Sequence, residues 1–499
     1  MIEQQTMTRR EALKAAAAIG VTAAFSPLAA LADATATPAA ARKATMIAIA
    51  TSPAPFARLD VDKVLDDMQQ RAGVNAVFPF MYTHGNVRAG LPAAGFRGGN
   101  YAIPHMEYYK DCGLTYEDMR GTEFGDVDVL ARVIPAAHKH GVKVFTWIIE
   151  DNERPATIPH WEPLYSVDLH GRRSEKHPGG PCYNNPMYRA WLLGLVEDYS
   201  RSYEIDGIMW GSERQGPLFY ALGAYHGGGK TDPGRVVCFC EYCEKKGRSM
   251  GIDVDRAKKG FGELETYVRN GRAGIRPRDG YFVAFWRLLL KYPELLAWDN
   301  LWVTSRHEFQ ADVYRKVKSV KPSIVVGWHT WQNLTFSPFH RAEEDFAEMT
   351  AFSDFLRPVP YSNAAANRMK TAVDSMRGNV FGDVPPEQTL EFLYRVLDYQ
   401  EAPYDKLATV GFSADYVLRE TKRALEGVAG SATQIWPGID IDVPVPEDAS
   451  HCTPESVRDE VLAVFKAGAP GVFLSRNYVE MKPENLSGAS AALRELGRI

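Results

Sequence analysis

The sequence predicts an α/β fold, a (β/α)8 TIM barrel with a large insertion after the fourth strand, and three observations carry that prediction. Short apolar, β-rich runs occur eight times along the chain. Amphipathic helical stretches separate them. The runs are almost continuously apolar, which marks parallel strands buried on both faces. Eight such strand and helix units close a barrel.

The strands are expected at 45–50 (TMIAIA), 74–82 (VNAVFPFMY), 142–149 (VKVFTWII), 205–211 (IDGIMWG), 323–330 (SIVVGWHT), 353–361 (SDFLRPVPY), 432–440 (ATQIWPGID) and 471–475 (GVFLS). Between them, 126–141, 185–203 and 454–469 space apolar residues three and four apart, as a helix with one buried face requires. The interval 214–322 is too long for one helix. An insertion at about 214–280, followed by the barrel helix, accounts for it. A second long interval, 362–431, is expected to add excursions after the sixth strand.

The N-terminus has its own logic. Arg9-Arg10 and Leu13-Lys14 precede the uncharged run at 15–32, which ends in Ala30-Leu31-Ala32. A basic start, an apolar stretch and a small-residue cleavage site make an export signal rather than a structural helix. The paired arginines resemble the twin-arginine signal, with Ala12 where an aromatic is usual. The expected division is a signal over 1–34, a linker over 35–44 and a catalytic barrel over 45–499, placing the protein in the periplasm or outside the cell. No other apolar run reaches the ~18 residues of a membrane span, so none is expected in the mature chain. A net charge of −5 and a pI near 6.2 leave no basic footprint for nucleic acid.

In such barrels chemistry sits on the loops that follow the strands. Those positions hold Tyr82 and His84, then Glu150 and Asp151, then Trp210, Glu213 and Arg214. Trp328, His329 and Trp331 come next, followed by Arg357 and Tyr361, and then Trp436, Asp440 and Asp442. Arg476, Tyr478 and Glu480 end the series. Aromatic faces for stacking, with carboxylates for hydroxyls and proton transfer, suit a carbohydrate substrate. Glu213, where the fourth strand ends, is the expected general acid/base, although pairing with a loop arginine would explain it equally. Glycoside cleavage needs a second carboxylate. Asp440 is the expected partner, with Glu150, Asp151, Asp442 and Glu480 as rivals that serve equally as hydroxyl ligands. Tyr82, His84, Glu150, Asp151, Trp210, Arg214, Trp328, His329, Asp442, Arg476 and Tyr478 form the expected substrate-binding set.

Cys238, Cys240 and Cys243 form C-x-C-x2-C, and Cys182 lies upstream in GGPCYNNPMYR. Four thiolates make a closed structural zinc set with no position open for water. Disulfides are the rival in an exported chain, but cysteines two and three apart bridge each other only with strain. Cys112 and Cys452 remain to form one disulfide or to stay buried. No organic cofactor is expected.

A cysteine just before a P-x-Y-R helix start, a Glu after the fourth strand, and C-x-C-x2-C opening a helix resemble glycoside hydrolase family 42. These are β-galactosidase barrels with a four-cysteine zinc cluster. The resemblance covers about 180–250. It implies zinc ligation by Cys182, Cys238, Cys240 and Cys243 and an acid/base role for Glu213. The chain departs from that pattern in Ser212 before Glu213, in the long gap to Cys238, and in the lack of a clean seventh-strand glutamate. The expectation is an exported glycoside hydrolase of the retaining, two-carboxylate type. The alternatives are a saccharide-binding barrel without turnover and a metal-dependent hydrolase, lyase or isomerase.

Overall fold

The structure is a computed structural model that describes residues 45–83, 99–120, 125–150, 160–173, 180–225 and 227–499. The expected signal and linker, together with His84 and Asp151, lie outside the described residues.

The eight strands stand where the apolar runs place them. They are β1 (Met46–Thr51), β2 (Ala76–Thr83), β3 (Lys143–Glu150), β4 (Gly207–Ser212), β5 (Val325–His329), β6 (Phe355–Arg357), β7 (Gln434–Ile435 and Gly438–Asp440) and β8 (Gly471–Ser475). Every neighbouring pair is parallel, in sequential order, and β8 returns to β1. The chain is an α/β TIM barrel.

β7 closes the barrel in two halves, the first on β6 and the second on β8. Trp436 and Pro437 join the halves. The Trp436 N–H donates to Leu356 O of β6, and Pro437 O accepts from the Phe473 N–H of β8. Proline has no N–H to offer, so a carbonyl-only stitch is what this position can supply.

Stacked aromatic rings fill the interior. Phe78 lies 4.4 Å from Phe145 and 4.6 Å from Phe473, and Phe355 stacks on Trp436 at 4.1 Å. Space for these rings comes from glycines on neighbouring strands. A Cβ on Gly207 would sit 2.2 Å from Phe145, and one on Gly327 would sit 2.4 Å from Phe355. Trp147 forms the next layer up, 4.6 Å from Phe80.

The surrounding helices follow their sequence signals. The helix Val61–Ala72 starts on Asp60, which accepts from the Lys63 N–H, and stops on Gly73 at φ 62. The helix Pro186–Ser202 starts on Asn185 in the same way. Between β4 and β5 run the helices Pro217–Leu222, Glu241–Ser249, Val254–Arg272, Tyr281–Lys291 and Glu294–Val320. No described helix is long and apolar enough to cross a membrane.

Candidate active site

At the C-terminal end of the barrel, Glu213 and His329 come together, as their strand ends predict. His329 Nε2 lies 3.2 Å from Glu213 Oε1. The carboxylate side chain is 47% exposed and the imidazole 6%. His329 also touches Arg357, whose Nη1 is 2.5 Å from His329 Nδ1. A guanidinium only donates. Nδ1 must therefore accept, and the single proton of the neutral ring resides on Nε2, pointing at Glu213. Burial, with Arg357 beside it, holds the His329 pKa below its ordinary 6.5, so the neutral tautomer is the form that faces the mouth.

Arg357 is the central fixture of this arrangement. It is fully buried, its Cζ lies 4.2 Å over the Phe473 ring and 4.9 Å over Trp147, and its Nη2 donates to Tyr361 Oη at 2.8 Å and to Ser475 Oγ. Glycines give these groups room. A Cβ on Gly211 would meet His329 at 2.8 Å, and one on Gly438 would meet Arg357 Nη2 at 2.9 Å. Arg368, on the helix Ser362–Met376, donates to Gln332 and feels the charges of both Glu213 and Asp440.

The remaining expected residues are placed differently. Glu150 is completely buried and is bonded to Arg214, at 2.9 Å from Nη2 and 3.2 Å from Nε, and to the hydroxyls of Tyr183 and Tyr188. Arg214 in turn donates to Pro181 O and lies over the Tyr183 ring. These two charges answer each other inside the protein. The expected loop arginine thus pairs with Glu150, and Glu213 bonds His329.

Asp440 is also completely buried. Its oxygens accept from the N–H groups of Ala364 (3.2 Å) and Val443 (3.1 Å), and from the Cys452 thiol at 3.2 Å. Burial raises its pKa. It locks the first turn of the helix Ser362–Met376 to the loop after β7. Asp442, in a left-handed conformation at φ 55, accepts from the Lys482 N–H and from Asn485, pinning the start of the helix Pro483–Glu495. Arg476 is held by Glu480 at 2.7 and 3.0 Å.

Tyr82 packs on Trp191 of the outer helix Pro186–Ser202, at 4.6 Å. The register slips between Phe80, which is level with the inward Trp147, and Tyr82, which is level with Ile148 where an unbroken ladder would give Ile149. Trp210 meets Phe309 on the helix Glu294–Val320 at 5.7 Å, and Trp328 donates to Phe352 O. Tyr478 turns to Asp67 on the helix Val61–Ala72. Tyr82, Trp210 and Trp328 thus glue strands to helices, and Tyr478 ties the loop after β8 to the helix Val61–Ala72.

Sequence reasoning put Arg357 on the rim without a role and passed over Arg368, Trp147 and Ser475. For Arg357 a signal existed. It lies two positions beyond Phe355, so both share one face of β6, and an arginine at the end of an inward apolar row has only the mouth to serve.

The four cysteines Cys182, Cys238, Cys240 and Cys243 are all buried, with their sulfurs within 4.8 Å of one another, and can bind a metal ion. Cys182 Sγ is 3.5 Å from Cys240 Sγ and 3.4 Å from Cys243 Sγ. The donor set fits zinc: four thiols, with N–H donors from Val167, Asn184 backbone and Asn184 side chain, each 3.4 Å from a sulfur. The flanking residues link this cluster to the buried ion pair, since Pro181 and Tyr183 both contact Arg214. Cys112 and Cys452 are unbridged, the first donating to Tyr109 O.

No family model matches the chain, and no curated protein matches it. Among solved structures, it is similar to the β-galactosidase from the psychrophilic Marinomonas ef1, at 11% identity and a TM-score of 0.50 over 91% of this chain and 59% of that one. It is also similar to the α-L-fucosidase isoenzyme 2 from Paenibacillus thiaminolyticus, at 14% identity and 0.47 over 91% and 49%. A third likeness is the PgaB (BpsB) glycoside hydrolase domain from Bordetella bronchiseptica, at 12% and 0.46 over 91% and 99%. The chain thus spans about half the length of the first two proteins. At these identities the likeness is one of fold.

Proposed function

We propose that this protein is a glycoside hydrolase in which Glu213 transfers the proton at the glycosidic oxygen. The observation that carries this is the half-exposed Glu213 carboxylate at the end of β4, fixed by a neutral His329 whose tautomer Arg357 sets. One carboxylate oxygen accepts from Nε2–H, which orients the group toward the mouth. Trp147, His329 and Arg357 form the floor beneath it, excluding water from one side of the reacting bond. The glycosidase fold of the similar structures supports this reading.

One observation favours a second reading, a barrel that binds a saccharide without cleaving it. Among the described residues, the expected partner Asp440 and its rivals Glu150, Asp442 and Glu480 are each engaged by protein donors. Turnover on a panel of chromogenic glycosides decides between the readings. A hydrolase is expected to lose about 10²–10⁴-fold in kcat on Glu213→Gln, with its folding intact. Saccharide binding without turnover in the wild type, unchanged in the variant, would establish the second.

We further propose that zinc fills the four-thiol cluster and holds the Cys182 segment against the segment that carries Cys238, Cys240 and Cys243. When bound it supplies structural cross-linking. Export by the twin-arginine route rests on Arg9 and Arg10. Replacing both with lysine is expected to leave the protein in the cytoplasmic fraction, and unchanged periplasmic recovery would refute that route.

A further inference from the structure

Away from the mouth, two carboxyl groups that catalysis does not use meet in one cavity on the flank of the barrel. Asp299, on the helix Glu294–Val320, accepts from the Leu218 N–H at 2.8 Å. Glu343, at the end of the helix Pro338–Glu343, accepts from the Gly216 N–H at 3.3 Å and contacts His340 Nδ1 at 3.2 Å, both through Oε2. Its other oxygen, Oε1, is buried and accepts no hydrogen bond, in a residue only 5% exposed. The two acids converge closely. A Cβ on Gly216 would lie 2.6 Å from Asp299 Oδ1 and 2.7 Å from Glu343 Oε1.

Both line a cavity of about 500 Å³ whose other walls are almost wholly apolar, including Phe219, Phe339, Phe381 and Phe392. Volume and lining match a small-molecule site, with a few polar groups in an apolar shell. Among the described residues, no lysine or arginine lines it. Arg306, whose charge reaches both acids, is taken by Glu344 at 2.6 Å and by Glu343 O.

We propose that this cavity binds an organic ammonium ion, its charged head between Asp299 and Glu343 and its apolar body against the phenylalanine rings. A cation at that point would satisfy the orphaned Oε1 and stabilise the charged form of two acids whose burial disfavours it. A neutral apolar ligand would fill the volume but leave both acids as they are.

Burial pushes Glu343 up to about 8 and raises Asp299 well above its ordinary range. The groups facing Glu343 are Asp299 and Arg306 from the helix Glu294–Val320, and His340 and Glu344 from its own segment. Ammonium binding at pH 7 is therefore expected to release protons.

The experiment titrates the full-length protein with 2-phenylethylamine, 2-phenylethanol and Mn2+ by calorimetry, in two buffers of different ionisation enthalpy. The expected result is saturable amine binding with proton release, at least ten-fold tighter than the alcohol. The double variant Glu343→Gln/Asp299→Asn keeps shape and acceptors and is expected to abolish that preference. Equal affinity for amine and alcohol in the wild type would overturn the proposal without needing any variant. So would amine binding that survives the double variant, or acid-dependent binding of Mn2+ alone.

Discussion

Replacing Glu150 with glutamine separates a structural carboxylate from a catalytic one. Glu150 answers a buried guanidinium through two hydrogen bonds, and two tyrosine hydroxyls complete its shell. Glutamine keeps one acceptor oxygen but turns an NH2 toward groups that are themselves donors. Arg214, 3% exposed, is left without a counter-charge. Breaking such a pair costs about 3–5 kcal/mol. Unfolding entropy of ~2.1 cal/mol/K per residue, spread over Thr45–Ile499, converts that to a Tm lower by roughly 3–5 °C. Differential scanning calorimetry and urea denaturation measure the loss. Turnover per folded molecule, assayed well below the transition, is expected to stay within a few-fold of wild type. An unchanged Tm with activity down a hundred-fold would refute the reasoning and return Glu150 to the substrate.

The other predictions concern the mouth and the thiol cluster. Arg357 is a positioning residue, and its charge is one cause that lowers the pKa of His329. His329 is then neutral, and its Nε2–H in place, above its folded pKa, which lies below 6.5. Arg357→Met removes that cation, so the acid limb of kcat/KM is expected to move to higher pH. A pH–rate profile checks this, and a limb that stays or moves down would contradict the tautomer assignment. A chelator, like the substitution Cys238→Ser, is expected to lower the thermal stability of the loaded protein without changing kcat of the molecules still folded. Loss of kcat at full folding would make the metal catalytic.

The architecture was legible because burial on both faces forces the strands to be apolar along their length, and all eight runs became strands. Which way each rim side chain faces was not. Facing depends on register, and a single slip between Phe80 and Tyr82 turns Tyr82 out to the helices. Trp210 and Trp328 lie one position from the inward Gly211 and His329, and a sequence without register cannot tell those rows apart. Carboxylates posed a different difficulty. Glu150, Asp440 and Asp442 follow strands as catalytic acids do, yet each is consumed by a partner more than ten residues away or across a loop. Glu213 and His329 meet at the mouth because both strand ends lead straight into it. The four thiols were found because their spacing constrains them locally.

The divided seventh strand has a mechanical consequence. Where β7 changes neighbours, the barrel wall has a seam, spanned by backbone bonds from Trp436 to Leu356, from Gly438 to Pro358 and from Phe473 to Pro437. Arg357 on β6 reaches past Gly438 on β7 to Ser475 on β8. It acts as a strut across the joint. The same guanidinium grips His329 with its other nitrogen. Any strain that spreads the seam is therefore transmitted to the imidazole, and wall and proton-transfer group share one fastener.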